Sequence, residues 1–110
     1  MEILLLNILV PVKLTNVSGD LTVREGSNAR LLCKATGKPQ SNIILTREME
    51  DGSVDEVLQQ GPTIAWDFLN IKRTASGTYR CTADNGYTND VKVFKVYVTC
   101  KYLYITQANS

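Results

Sequence analysis

A chain of 110 residues with 44% hydrophobic and 21% charged side chains is long enough for one core and too apolar for a disordered segment. Its 12 Lys and Arg nearly balance 11 Asp and Glu, and the basic residues are scattered along the sequence, so nothing steers it to nucleic acid or an anionic membrane. Histidine is absent, which removes the commonest general base, the commonest metal ligand and every Ser/His or Cys/His pair. The three cysteines have no Cys-x-x-Cys spacing, so no zinc site is expected either. Glu48, Glu50, Asp51, Asp55 and Glu56 crowd a turn-rich stretch, the mark of a solvated loop rather than a carboxylate active site. The expectation is neither an enzyme nor a cofactor-binding protein.

The first ten residues, Met1 to Val10, form an apolar run too short to span a bilayer. No Lys or Arg precedes the run and no Ala-x-Ala follows, so it reads as a signal-like segment or as a fragment boundary entering a first strand. Asn16-Val17-Ser18 is a sequon, which makes Asn16 a candidate glycan acceptor if the chain is secreted. Ala29 to Ala35 alternates, with Ala29, Leu31, Cys33 and Ala35 on one face, until Gly37-Lys38-Pro39 breaks the run. Ile43, Leu45 and Arg47 then alternate with Ile44 and Thr46. The polar stretch from Met49 to Pro62 has room for one or two short edge strands. Trp66 and Phe68 share a face, and Ile71 follows as that strand ends. Tyr79, Cys81 and Ala83 face opposite to Thr78, Arg80 and Thr82. Asp84-Asn85-Gly86-Tyr87 signals a hairpin, since Asn-Gly suits positive φ. The last run sets Phe94, Val96, Val98 and Cys100 against Val93, Lys95 and Tyr97. Residues 101–110 read as a linker or the truncated start of a following segment.

Short strands of this kind, apolar on one face only, predict an all-β fold of antiparallel sheets packed face to face. Cys33 and Cys81, 48 positions apart, both lie on apolar strand faces and can meet across such a core. They read either as a disulfide, in an oxidising compartment, or as two buried thiols in a cytosolic domain. Cys100 is left over: either a bridge to another chain or a small apolar residue ending a strand.

Gly26-Ser27, Leu31-x-Cys33-x-Ala35-x-Gly37-x-Pro39 and Gly77-x-Tyr79-x-Cys81-x-Ala83-x-Asn85 resemble the immunoglobulin superfamily, specifically intermediate-set domains, over residues 11–100. The resemblance implies a sandwich of about seven to nine strands. It also implies a tyrosine corner at Tyr79, the tyrosine two residues before the second cysteine. Two features depart from the family pattern. Leu45 stands where a tryptophan usually packs on the disulfide, the only tryptophan being Trp66. Ala75 stands where an aspartate usually makes a buried ion pair.

The wording around Cys33 and Tyr79 is similar to domains of neural adhesion molecules (the IgLON and lachesin group), hemicentins and receptor tyrosine kinase ectodomains. The resemblance implies an extracellular or cell-surface module of an adhesion or receptor protein, set among neighbouring domains of its kind. Its partner would be a protein, often another family member. The candidate face is the outward side of the three strands that carry Leu45, Cys81 and Phe94, with Ile44, Thr46, Arg80, Thr82, Val93, Lys95 and Tyr97. Two alternatives stay open: an intracellular structural module of the muscle giant-protein type, which needs no disulfide, and a secreted immune recognition molecule.

Overall fold

Alternation of apolar and polar residues builds strands that must bury one side, and here two sheets bury those sides against each other. The structure, a computed structural model, describes residues 8–100; the expectations for residues 1–7 and 101–110 lie outside it. Among the described residues the strands are β1 (Val10–Val17), β2 (Leu21–Arg24), β3 (Ala29–Lys38), β4 (Asn42–Arg47), β5 (Glu56–Gly61), β6 (Ile64–Phe68), β7 (Gly77–Asp84) and β8 (Asn89–Thr99). A single 3-10 turn, Arg73–Ala75, precedes β7. The first sheet has the order β1-β3-β6 and the second the order β2-β8-β7-β4-β5. Every pairing is antiparallel except that of β2 with β8. The polar stretch after Met49 supplies one edge strand, β5.

The core follows the alternation. β3 contributes Leu31 and Cys33, β4 contributes Ile43 and Leu45, β7 contributes Tyr79, Cys81 and Ala83, and β8 contributes Phe94 and Val96, all buried. Burial of each large side chain of this kind contributes about 1.5–3 kcal/mol. Cys33 and Cys81 are joined by a disulfide that ties β3 in the first sheet to β7 in the second. Tyr79 stacks on Phe94, with ring centroids 6.2 Å apart, and meets Phe68 edge-on at 6.0 Å.

β1 and β2 belong to different sheets, so the chain crosses the sandwich edge at Ser18–Asp20. Close approach of β1 to β3 requires Gly37. Its φ is +148°, and a Cβ there would sit 3.1 Å from Val12 Cα and 3.2 Å from the Val10 carbonyl oxygen. The outer edge of β1 is closed by side chains just before and at the start of β8. Thr88 Oγ1 accepts from the Val12 N–H at 2.9 Å, and Asp90 Oδ2 accepts from the Leu14 N–H at 2.8 Å.

Candidate recognition surface

The outward side of the five-stranded sheet is set by its register. Ile44 lies opposite Thr82 and Thr46 opposite Arg80 in the β4–β7 ladder. Across β7–β8, Arg80 pairs with Val93 and Thr78 with Lys95. Tyr97 continues the β8 row and lies beside Thr22 of β2. The seven residues read from alternation thus share one face. Val93 and Tyr97 are 54% and 52% exposed, more than a packed sheet residue would be.

Two further apolar residues belong to this face. Val91, opposite Thr82, extends the β8 row by one more alternation step, a signal present in the sequence. Val57 is opposite Thr46 because a register shift in the β4–β5 ladder falls between Leu45 and Thr46. No sequence signal marks that shift. Arg80 is held by Asp55, Nη1 to Oδ2 at 3.0 Å, so the one guanidinium in the middle of the face is neutralised from the loop before β5. What remains is a face of Val57, Val91, Val93 and Tyr97 around the half-buried Ile44, with hydroxyls and the exposed Lys95 among them. Exposed apolar side chains gathered in this way mark interaction sites more often than ordinary surface.

Beneath this face the framework is rigid. The Tyr79 hydroxyl donates to the Ala75 carbonyl at 2.5 Å, the bond that defines a tyrosine corner. Burial pushes the Tyr79 phenol above its ordinary pKa; Arg47 nearby pulls it down and Glu56 pushes it up, both more weakly. With alanine at position 75 there is no carboxylate for a cation to meet there. Arg47 Nη2 instead donates to the carbonyls of Thr74 and Ser76, the latter at 3.1 Å, and the guanidinium lies 5.7 Å from the Tyr79 ring centroid. Leu45 is fully buried opposite Cys81. Trp66 packs on the core from β6, in the other sheet, and its buried indole N–H has no acceptor among the described residues.

The remaining sequence candidates lie elsewhere. Asn16 is exposed on β1, opposite Lys34, on the outer side of the three-stranded sheet. Ser18, the third sequon residue, accepts from the Leu32 N–H at 2.7 Å. Cys100 is a half-buried free thiol just after β8. In the hairpin between β7 and β8, Asn85 Oδ1 accepts from the N–H groups of Tyr87 and Thr88 while Gly86 takes a φ of +89°.

A disulfide-linked two-sheet sandwich with a tyrosine corner is an immunoglobulin-like domain. The immunoglobulin domain family model matches residues 11–85, and the chain belongs to that family. It is 41% identical over 96 residues to the limbic system-associated membrane protein of Rattus norvegicus, covering 81% of this chain and 25% of the relative. It is 34% identical over 95 residues to IgLON family member 5 of Homo sapiens, covering 84% of this chain and 26% of the relative. The chain therefore spans about a quarter of the curated relatives it matches. Among solved structures it is similar to a chain of the complex of Dpr11 IG1 with DIP-gamma IG+IG2, at TM-score 0.66 and 30% identity, over 83% of this chain and 49% of that one. A chimeric titin Z1Z2 structure, at TM-score 0.68 and 21% identity, covers 84% of this chain and 99% of that one, and shows the fold alone.

Proposed function

We propose that this chain is an extracellular recognition module of an adhesion or receptor protein, and that it binds another immunoglobulin-superfamily domain. The binding surface is the outer face of the five-stranded sheet. The observation that carries this reading is the group of exposed apolar residues Val57, Val91, Val93 and Tyr97 on one regular sheet face. Apolar residues around a neutralised Arg80, with Lys95 as the charge that remains, suit a protein interface with a mixed composition. The likeness to the limbic system-associated membrane protein and to IgLON family member 5 supports the adhesion setting. The complex of Dpr11 with DIP-gamma supports a partner of the same fold. Asn16, the proposed glycan acceptor, is on the opposite sheet, so a sugar there leaves the partner face open.

The test is binding of the chain to itself and to a panel of immunoglobulin domains of adhesion proteins, by sedimentation and surface plasmon resonance. Charge placed at the centre of the face, by Tyr97→Glu or Val93→Glu, is expected to weaken binding at least about tenfold, the cost of burying an unpaired charge at an interface. Unchanged binding in both variants rules out this face. The disulfide argues against the intracellular structural module, which has no need of it. Three free thiols in the native chain would restore that reading.

A further inference from the structure

Basic residues that are scattered along the sequence are gathered by the register of the three-stranded sheet. Lys13 of β1 lies opposite Thr36 of β3. Lys34 and Lys38 stand two residues to either side of Thr36 and so point to the same outer face. The ladder sets Lys38 opposite Val10 and Lys34 opposite Asn16, with a register shift on either side of Lys13, so the two β3 lysines flank Lys13 on this face. All three are exposed. The fourth basic residue of the face, Arg30, is closed onto Asp67 by two hydrogen bonds, Nε to Oδ1 at 2.5 Å and Nη2 to Oδ2 at 3.2 Å. Among the described residues Asp67 is the one carboxylate that strand pairing puts on this face. Arg30 occupies it, so among the described residues strand pairing leaves Lys13, Lys34 and Lys38 no carboxylate on this face.

We propose that this lysine face binds a sulfated polysaccharide. Three like charges gathered on one sheet face repel one another, and a polyanion laid across them relieves that repulsion and releases its own counterions. Thr36 and Asn16 stand between the lysines and offer the neutral donors and acceptors that sugar hydroxyls take. Among the described residues strand pairing puts no aromatic side chain on this face, so they provide no stacking platform of the kind that holds single-stranded nucleic acid bases. Cys33, one residue before Lys34, is in the disulfide, which sets the face in an oxidising compartment, where sulfated polysaccharides occur. This inference shares with the proposed function only the extracellular setting, since the two surfaces are on opposite sheets. Asn16 faces Lys34, so a glycan on Asn16 and a captured polysaccharide exclude each other.

The experiment uses the wild-type chain secreted to a bacterial periplasm, where the disulfide forms and no N-glycan is added. Binding to immobilised heparin is measured over a series of NaCl concentrations, with fully desulfated heparin as the comparison. Wild type is expected to bind heparin and not the desulfated polymer. The variant with Lys13→Ala, Lys34→Ala and Lys38→Ala is expected to lower the salt slope by about 3, one unit per lost contact. A control with the same charge change, Lys72→Ala, Lys92→Ala and Lys95→Ala, is expected to bind like wild type. Circular dichroism checks that each variant is folded, and Lys34→Glu alone serves as a second probe should the triple variant not fold. Equal losses in the two triple variants would reduce the effect to net charge and overturn the proposal. So would absence of wild-type binding to heparin, or capture by phosphatidylserine vesicles through the same lysines without capture by heparin.

Discussion

Asp90, the second residue of β8, accepts a hydrogen bond from the backbone N–H of Leu14 in β1, 76 positions away and in the other sheet. Thr88 does the same for Val12. A strand at a sheet edge carries unpaired N–H groups that invite pairing with a foreign strand, and these two side chains close that edge. Asp90→Ala and Thr88→Val each leave a backbone donor without its acceptor, at about 1 kcal/mol. Hydrogen exchange at the Leu14 amide is expected to speed up in the first variant, and at Val12 in the second, with the amides of β7 unchanged.

The Tyr79 hydroxyl gives a second test. Tyr79→Phe removes its bond to the Ala75 carbonyl and is expected to cost about 1–2 kcal/mol in urea unfolding. The bond also makes stability depend on alkaline pH. Burial raises the Tyr79 pKa in the folded chain, so the folded state holds this proton more tightly than the unfolded one. The contribution is full below about pH 10, where tyrosine is protonated in both states. It is lost as pH rises through the raised folded value. Tyr79→Phe should flatten that part of the decline, as measured by unfolding between neutral and strongly alkaline pH.

Arg47 binds the backbone on either side of Ala75. Arg47→Met keeps much of the side-chain bulk but leaves the carbonyls of Thr74 and Ser76 without their donor and removes the cation from the Tyr79 ring. The expected loss is about 2–3 kcal/mol, the range for a charged hydrogen-bond donor lost from backbone acceptors. Arg47→Lys restores the charge but not the forked geometry, and should recover only part of the loss.

Joint replacement Cys33→Ala and Cys81→Ala opens a loop of 48 residues. On chain-entropy grounds this costs about 4 kcal/mol, a large share of the stability of a domain this size. The midpoint of chemical unfolding should fall accordingly. Reduction of the wild type should produce a shift of the same size.

Trp66 offers a gain rather than a loss. Its buried indole N–H meets no acceptor among the described residues, and an unsatisfied buried donor costs about 1–3 kcal/mol. Trp66→Phe removes that donor and gives up some apolar area. Stability should stay level or rise, as read from thermal unfolding. A loss as large as that of a core truncation would show that the indole is held by more than packing.

The strands around the cysteines were legible because each is a run of strict alternation with its apolar residues on one side: Leu31 and Cys33 in β3, Tyr79 and Cys81 in β7, Phe94 and Val96 in β8. The outer face of the five-stranded sheet follows from the same period of two. β2 was not legible. Four residues, Leu21–Arg24, carry too short a pattern, and their parallel pairing with β8 depends on contacts some 75 positions away in sequence, as with Leu21 and Val96. Val57 escaped for a similar reason, since a register shift between strands leaves no mark in either strand's own pattern. The lysine cluster is the sharpest case. Lys13, Lys34 and Lys38 look scattered along the chain, and only the β1–β3 register makes them neighbours. The Arg47 bonds were hidden because backbone carbonyls, unlike aspartate, have no letter in the sequence.

The parallel pairing of β2 with β8 has a mechanical consequence. In this ladder Leu21, Thr22, Val23 and Arg24 run alongside Val96, Tyr97, Val98 and Thr99 in the same direction. Tension applied between the two ends of the domain pulls β2 from its start and β8 from its finish, so the strands are sheared along their length. All rungs of the ladder then carry load together, instead of opening one at a time as they do when a hairpin is unzipped. A sandwich built this way resists a pull between its ends through β2 and β8 while the disulfide holds β3 to β7.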